Sequence, residues 1–199
     1  MPEDQERFGR ALDRCSKAGL LSAPRRILGE LEAAGVAYCL VGGLAASIRG
    51  ADRLSIGVDI APGLGPENER RLDDALARVD SKPAARGLLS KLEGFSDVKT
   101  PAGLLRIVVQ PHGTRGFDRD LRRVSGREHL GIGPYDLVPL TPKTAARQAE
   151  ELRMGGRGLQ PAVARAADLV RMASATVGTR DDRLRELRRL AELEALSPR

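Results

Sequence analysis

Residues 38–60 read YCLVGGLAASIRGADRLSIGVDI, and the adjacent glycines inside this stretch constrain the fold more than any other feature. Tyr38 to Val41 closes an apolar run too short for a helix, which predicts a buried strand over Ala37–Val41. Gly42 and Gly43 lack a Cβ and so permit a tight turn into the helix that Leu44 to Ile48 begins. Gly50 to Asp52 turn the chain again, and Leu54 to Ile60 predict a second strand that carries an acidic residue, Asp59, at its next-to-last position.

Around this unit the pattern predicts a mixed α/β (α+β) fold, a sheet flanked by helices with a helical C-terminal extension. Phe8, Ala11, Leu12 and Cys15 recur at helical spacing within residues 3–17. Ser22 and Pro24 start a helix whose inner face is Ile27, Leu28 and Leu31, with Gly35 after it. Glu67 to Val79 is a third helix, behind the breakers Pro62, Gly63, Gly65 and Pro66. A short helix is expected at Leu88–Leu92, a hairpin from Val98–Thr100 and Leu104–Gln110, a helix at Phe117–Val124 and a strand near Leu130–Ile132. Thr141–Arg153, Pro161–Ala175 and Arg180–Leu196 read as helices. In the last of these, leucines at 184, 187, 190, 193 and 196 recur every three residues and so wrap around the helix. The expected division is an N-terminal helix over 1–22, an α/β domain over 23–140 and the helical extension over 141–199.

Composition narrows the class. Of 199 residues 41% are hydrophobic and 30% charged, which suits a globular domain. No apolar run approaches the roughly 20 residues a membrane span needs, and the charged start MPEDQERFGR does not resemble a secretory signal. With two cysteines, one of them (Cys39) inside an apolar strand, the expected state is reduced and the expected location cytoplasmic. The net charge of +6 raises the alternative of a basic nucleic-acid-binding module. The arginines are scattered, however, and few aromatics are present to stack on bases. His112 and His129 have no Cys or acidic partner at metal-binding spacing. Ser47 and Ser55 have no His nearby to activate them. Asp168 reads as a solvated residue or an i,i+3 partner of Arg165.

The segment Arg53-Leu54-Ser55-Ile56-Gly57-Val58-Asp59-Ile60, placed after Gly42-Gly43, resembles the core motif of the nucleotidyltransferase (polymerase beta-like) superfamily. There a strand, a Gly-Gly or Gly-Ser turn, a helix and a strand ending in Asp-x-Asp follow in this order. Gly113-Thr114-Arg115-Gly116-Phe117-Asp118, Pro134-Tyr135-Asp136-Leu137-Val138 and Lys143-Thr144-Ala145-Ala146-Arg147 are similar to a branch of small prokaryotic members that includes toxin-like proteins. The resemblance spans residues 25 to 170. It implies transfer of NMP from a nucleoside triphosphate with Mg²⁺, a phosphate-binding set of Gly42, Gly43, Arg53, Ser55 and Lys143, and Asp59 as a catalytic metal ligand.

The chemistry explains the motif's shape. Carboxylates on alternate strand residues project to one face, about 7 Å apart, where hard cations can bridge them to a triphosphate. The chain departs from the pattern at two places: position 57 is Gly rather than Asp, and the segment Leu104–Pro111, where a third acid is expected at Val108, contains none. Asp52, Asp97 and Asp118 are the candidate substitutes. The expected function is therefore a degenerate nucleotidyltransferase that has lost two-metal transfer and retains nucleotide or phosphate binding or a regulatory role, with nucleotide, RNA or a protein as partner. The alternative is an active enzyme with rearranged acids that modifies RNA, protein or a small molecule. Gly57→Asp is expected to raise Mg²⁺ affinity without restoring transfer.

Overall fold

A computed structural model describes residues 22–51, 57–79, 87–122, 126–127 and 161–196. The expected elements at 3–17, 130–132 and 141–153 lie outside the described residues, as do Asp52, Arg53, Ser55, His129 and Lys143; of Ser47 only the backbone is described.

The mixed α/β architecture is as the pattern predicts. Helix α1 (Ser22–Ala33) leads into β1 (Tyr38–Val41), which is buried at every position. The chain enters α2 (Gly42–Ile48) at the first glycine, two residues earlier than expected, and returns as β2 (Gly57–Pro62). Helix α3 (Pro66–Arg78) has proline in its first turn, where a missing N–H costs nothing. Strands β3 (Phe95–Thr100) and β4 (Gly103–Val108) form the expected hairpin, with β3 beginning three residues before its expected start. Two-residue strands β5 (Gly126–Arg127) and β6 (Ala162–Val163) precede α4 (Ala166–Ala175) and α5 (Asp181–Leu196).

The strands form one sheet in the order β3-β4-β2-β1-β6-β5. β1 and β2 are antiparallel, β2 and β4 parallel, β3 and β4 antiparallel, and β6 runs parallel to β1. Side-chain alternation gives the sheet two faces of different chemistry. Leu40, Val58, Ile60, Val98, Leu105 and Ile107 share one face and are buried with Ile27, Leu28, Leu31, Leu72 and Leu76 of α1 and α3. The opposite face carries Val41, Asp59 and Arg106, and α4 and α5 lie over it through Leu169, Ala173 and Leu187.

Three expectations require correction. Leu88–Leu92 is a series of turns, because Asp73 and Glu69 of α3 accept the backbone N–H groups of Gly87 and Ser90 and hold the segment open. Phe117–Leu121 is π-helical, wider than the α-helix expected there, and residues 123 and 124 of that expectation lie outside the described residues; Asp120 accepts the Arg115 N–H at its start. Pro161 to Ala164 is not helical. Val163 and Ala164 are fully buried beside β1, and the Ala164 N–H donates to the Leu40 carbonyl, so tertiary pairing overrides the helix propensity of an alanine-rich segment. The segment after residue 141, expected to be wholly helical, thus adds a strand to the sheet.

Arg49, just past α2, fixes that strand. Its guanidinium donates to the Ala164 and Val163 carbonyls, both at 3.0 Å, and lies 3.5 Å from Glu194 of α5. Glu194 also accepts the Ala166 N–H at the start of α4. In α5 only part of the leucine row packs: Leu187 is buried, whereas Leu193 and Leu196 are exposed. That is the wrapping expected from a three-residue repeat. Asp168 is buried, not solvated, and its i,i+3 partner is Arg171 rather than Arg165.

Candidate functional site

Asp59 sits on β2 directly opposite Val41 of β1 and Arg106 of β4, and Arg106 is in turn opposite Asp97 of β3. Because opposed residues share a face, Asp97, Arg106 and Asp59 form a charged row across three strands. Arg106 grips Asp97 in a bidentate pair, Nε to Oδ1 at 2.6 Å and Nη2 to Oδ2 at 2.8 Å, and its guanidinium lies 5.4 Å from the Phe95 ring centroid. Neighbouring strands are separated by about 4.8 Å, so the backbones of Asp59 and Asp97, which flank the arginine, are roughly 10 Å apart across the sheet. A divalent cation shared by the two carboxylates would have to displace the Arg106 guanidinium, which comes from the strand between them and holds Asp97.

The glycine turn is closed over Asp59. Gly42 has φ of 68°, and a Cβ built on it would fall 2.0 Å from Asp59 Oδ2. The carboxylate therefore occupies the space that a side chain at position 42 would fill. The Gly43 N–H donates to that same carboxylate. The donor that the resemblance assigns to phosphate is already engaged within the chain.

Burial pushes the Asp59 carboxyl above the ordinary carboxylate range, opposed by the charges of Arg106 and Arg183 and by the Gly43 N–H, with Asp97 adding to the rise. Asp97 moves the opposite way, held low chiefly by its hydrogen bonds from Arg106. For Asp59 the folded state binds its proton more tightly than the unfolded chain. Its contribution is therefore a penalty, absent below the unfolded value and fully present once pH exceeds the raised folded value. Asp59→Asn removes that penalty while keeping an acceptor for Gly43. Relative to the wild type, its stability is expected to improve as pH rises through this window and to stay level above it, as read from urea midpoints at a series of pH values. A wild-type advantage that grows with pH would show the charged carboxylate to be stabilising.

Beside the row is a cavity of about 170 Å³, lined by Asp59, Arg106, His112 and Arg183 among apolar residues of the sheet, α4 and α5. Val108 lines it too, but the residue opposite Asp59 is Arg106, not Val108. Of the candidate substitute acids, Asp97 lies on β3 and is committed to Arg106. Asp118 accepts the Leu64 N–H at 2.8 Å, a structural role in a different loop. Among the described residues no group of three or more His, Cys, Asp and Glu could hold a metal ion. A lone carboxylate engaged by a backbone N–H and flanked by guanidinium charges is a poor ligand set for Mg²⁺, and the described residues do not fit a two-cation centre. Likewise, no described helix is long and apolar enough to cross a membrane.

Arg106 was the residue to notice in the sequence. An arginine inside the apolar run Leu104–Val109 has to find a counter-charge on its own sheet face. Arg183, on a helix distant in sequence, gave no such signal. No protein-family model matches the chain, and no curated protein matches it either.

Proposed function

We propose that the chain is a nucleotidyltransferase-fold protein that has lost two-metal NMP transfer and retains at most weak binding of a phosphate-sized anion, or a regulatory role toward a partner. The order strand, Gly-Gly turn, helix and strand with Asp59 against the turn supports the fold reading. One observation carries the loss of transfer: Arg106 stands directly opposite Asp59. A fixed guanidinium there supplies the positive charge that a cation would otherwise bring, and it repels an incoming cation.

Retained anion binding is supported by Arg106 and Arg183 at the cavity. Its volume of about 170 Å³ suits a phosphate group; pockets for whole drug-sized ligands run from roughly 300 Å³ upward. Lys143, Arg53 and Ser55 remain the further phosphate contacts that the resemblance implies.

Titration calorimetry with ATP and with inorganic phosphate, each with and without Mg²⁺, tests this reading. The expected result is weak binding that Mg²⁺ does not strengthen, and no transfer of labelled NMP to RNA, protein or the chain itself. Incorporation of label from any nucleoside triphosphate would overturn it. Binding of RNA or DNA with a steep salt dependence would instead favour the basic nucleic-acid module.

A further inference from the structure

Strand β3 ends the sheet, with β4 on one side and no described strand on the other. It runs six residues, Phe-Ser-Asp-Val-Lys-Thr, with no proline, and of the devices that commonly blunt an edge it carries only charge, Asp97 and Lys99, which are of opposite sign. Phe95 is 61% exposed, Asp97 and Lys99 are exposed, and Val98 is buried on the core face. Among the described residues Lys99 makes no ion pair, although it lies on the same face of the strand as Asp97.

These six residues are complementary to themselves. When two copies of β3 meet antiparallel about a two-fold axis through Val98, Asp97 of each chain is opposite Lys99 of the other. Ser96 is then opposite Thr100, Val98 is opposite Val98, and Phe95 meets Pro101. Opposed side chains on one face of an antiparallel pair lie about 4.5–5.5 Å apart at Cβ, close enough for each of these contacts. Asp97 accepts two bonds from Arg106 and has lone pairs left for a lysine ammonium. The alternatives are unfavourable. An axis through Asp97 or through Lys99 places like charges together, and a one-residue slip sets Asp97 against Val98.

We infer that this chain forms a two-fold symmetric homodimer by antiparallel pairing of β3 with β3 of a second copy, in the register centred on Val98. Pairing joins the two sheets into one. It also continues the charged row outward, so that Lys99 of one copy follows Asp59, Arg106 and Asp97 of the other with alternating sign.

Sedimentation equilibrium of the full chain, with Lys99→Glu beside it, tests the dimer. The substitution sets a glutamate against Asp97 twice per dimer and is expected to weaken association roughly tenfold or more, with circular dichroism unchanged. A Val98→Cys variant in a Cys15→Ser background tests the register, because only an axis at residue 98 brings that thiol against its own copy. Mild oxidation is then expected to give a covalent dimer that reducing agent reverses. A monomeric wild type, a dimer indifferent to Lys99→Glu, or a dimer in which residue 98 does not cross-link would each overturn the inference.

Discussion

Gly42→Ala is expected to destabilise the fold by about 3 kcal/mol or more, because two separate costs fall on one methyl group. The backbone at Gly42 has φ of 68°, and an L-residue held in this left-handed region pays about 1–2 kcal/mol. The added Cβ would also stand 2.0 Å from Asp59 Oδ2, 2.8 Å from its Cγ and 2.9 Å from its Cβ. Backbone movement offers little relief, since Val41, the preceding residue, is paired with Asp59 across the β1–β2 ladder. The carboxylate has to swing off the Gly43 N–H instead, and a half-buried charge that loses its donor costs about 1–3 kcal/mol. A double-mutant cycle with Asp59→Ala isolates the second cost. Truncating Asp59 removes Oδ2 and Cγ, so the pair is expected to be less destabilised than the sum of the singles by at least about 1 kcal/mol in urea unfolding. Strict additivity would place the loss in the backbone alone.

The two glycines illustrate what a linear reading can reach. A tight turn without side chains is a local property, and Tyr38–Val41, Gly42-Gly43 and a strand carrying Asp59 are where the sequence pattern puts them, although that strand runs on through Pro62, which reads as a breaker. Register is not local. Which residue of Leu104–Val109 stands opposite Asp59 depends on how far β4 slides along β2 before its apolar residues Leu105 and Ile107 bury beside Val58 and Ile60. That sliding sets Arg106, two residues before the expected Val108, against the carboxylate. Val163 shows the same limitation from the other side. Pro161 to Ala164 carries no strand signal, and only the vacant edge of β1, formed more than a hundred residues earlier, makes an extended conformation favourable there.

Gly57→Asp, which from the sequence alone is expected to raise Mg²⁺ affinity by restoring the acidic pair, is instead expected to damage the sheet. Gly57 is buried and opposite Leu104 at the first step of the parallel β2–β4 ladder. A Cβ there would lie 2.8 Å from the Leu104 carbonyl oxygen and 3.2 Å from its Cβ. The nearest atom is backbone, so relief requires the strands to part at the ladder's end. The new carboxylate would in addition be buried on the same face as Asp59, about 7 Å along the strand, where like charge and desolvation both oppose ionisation. Together these are expected to cost about 3 kcal/mol or more, and the thermal midpoint is expected to rise no further with Mg²⁺ in the variant than in the wild type. A larger Mg²⁺-dependent rise in the variant would show that the carboxylates do converge on a cation. Gly57→Ala separates the causes, since it carries the Cβ without the charge; a loss of most of the stability in both variants assigns the effect to the contact with Leu104. The glycine at this position then follows from how closely β2 and β4 approach, and regaining a metal pair would require reshaping that approach and removing Arg106, not one substitution.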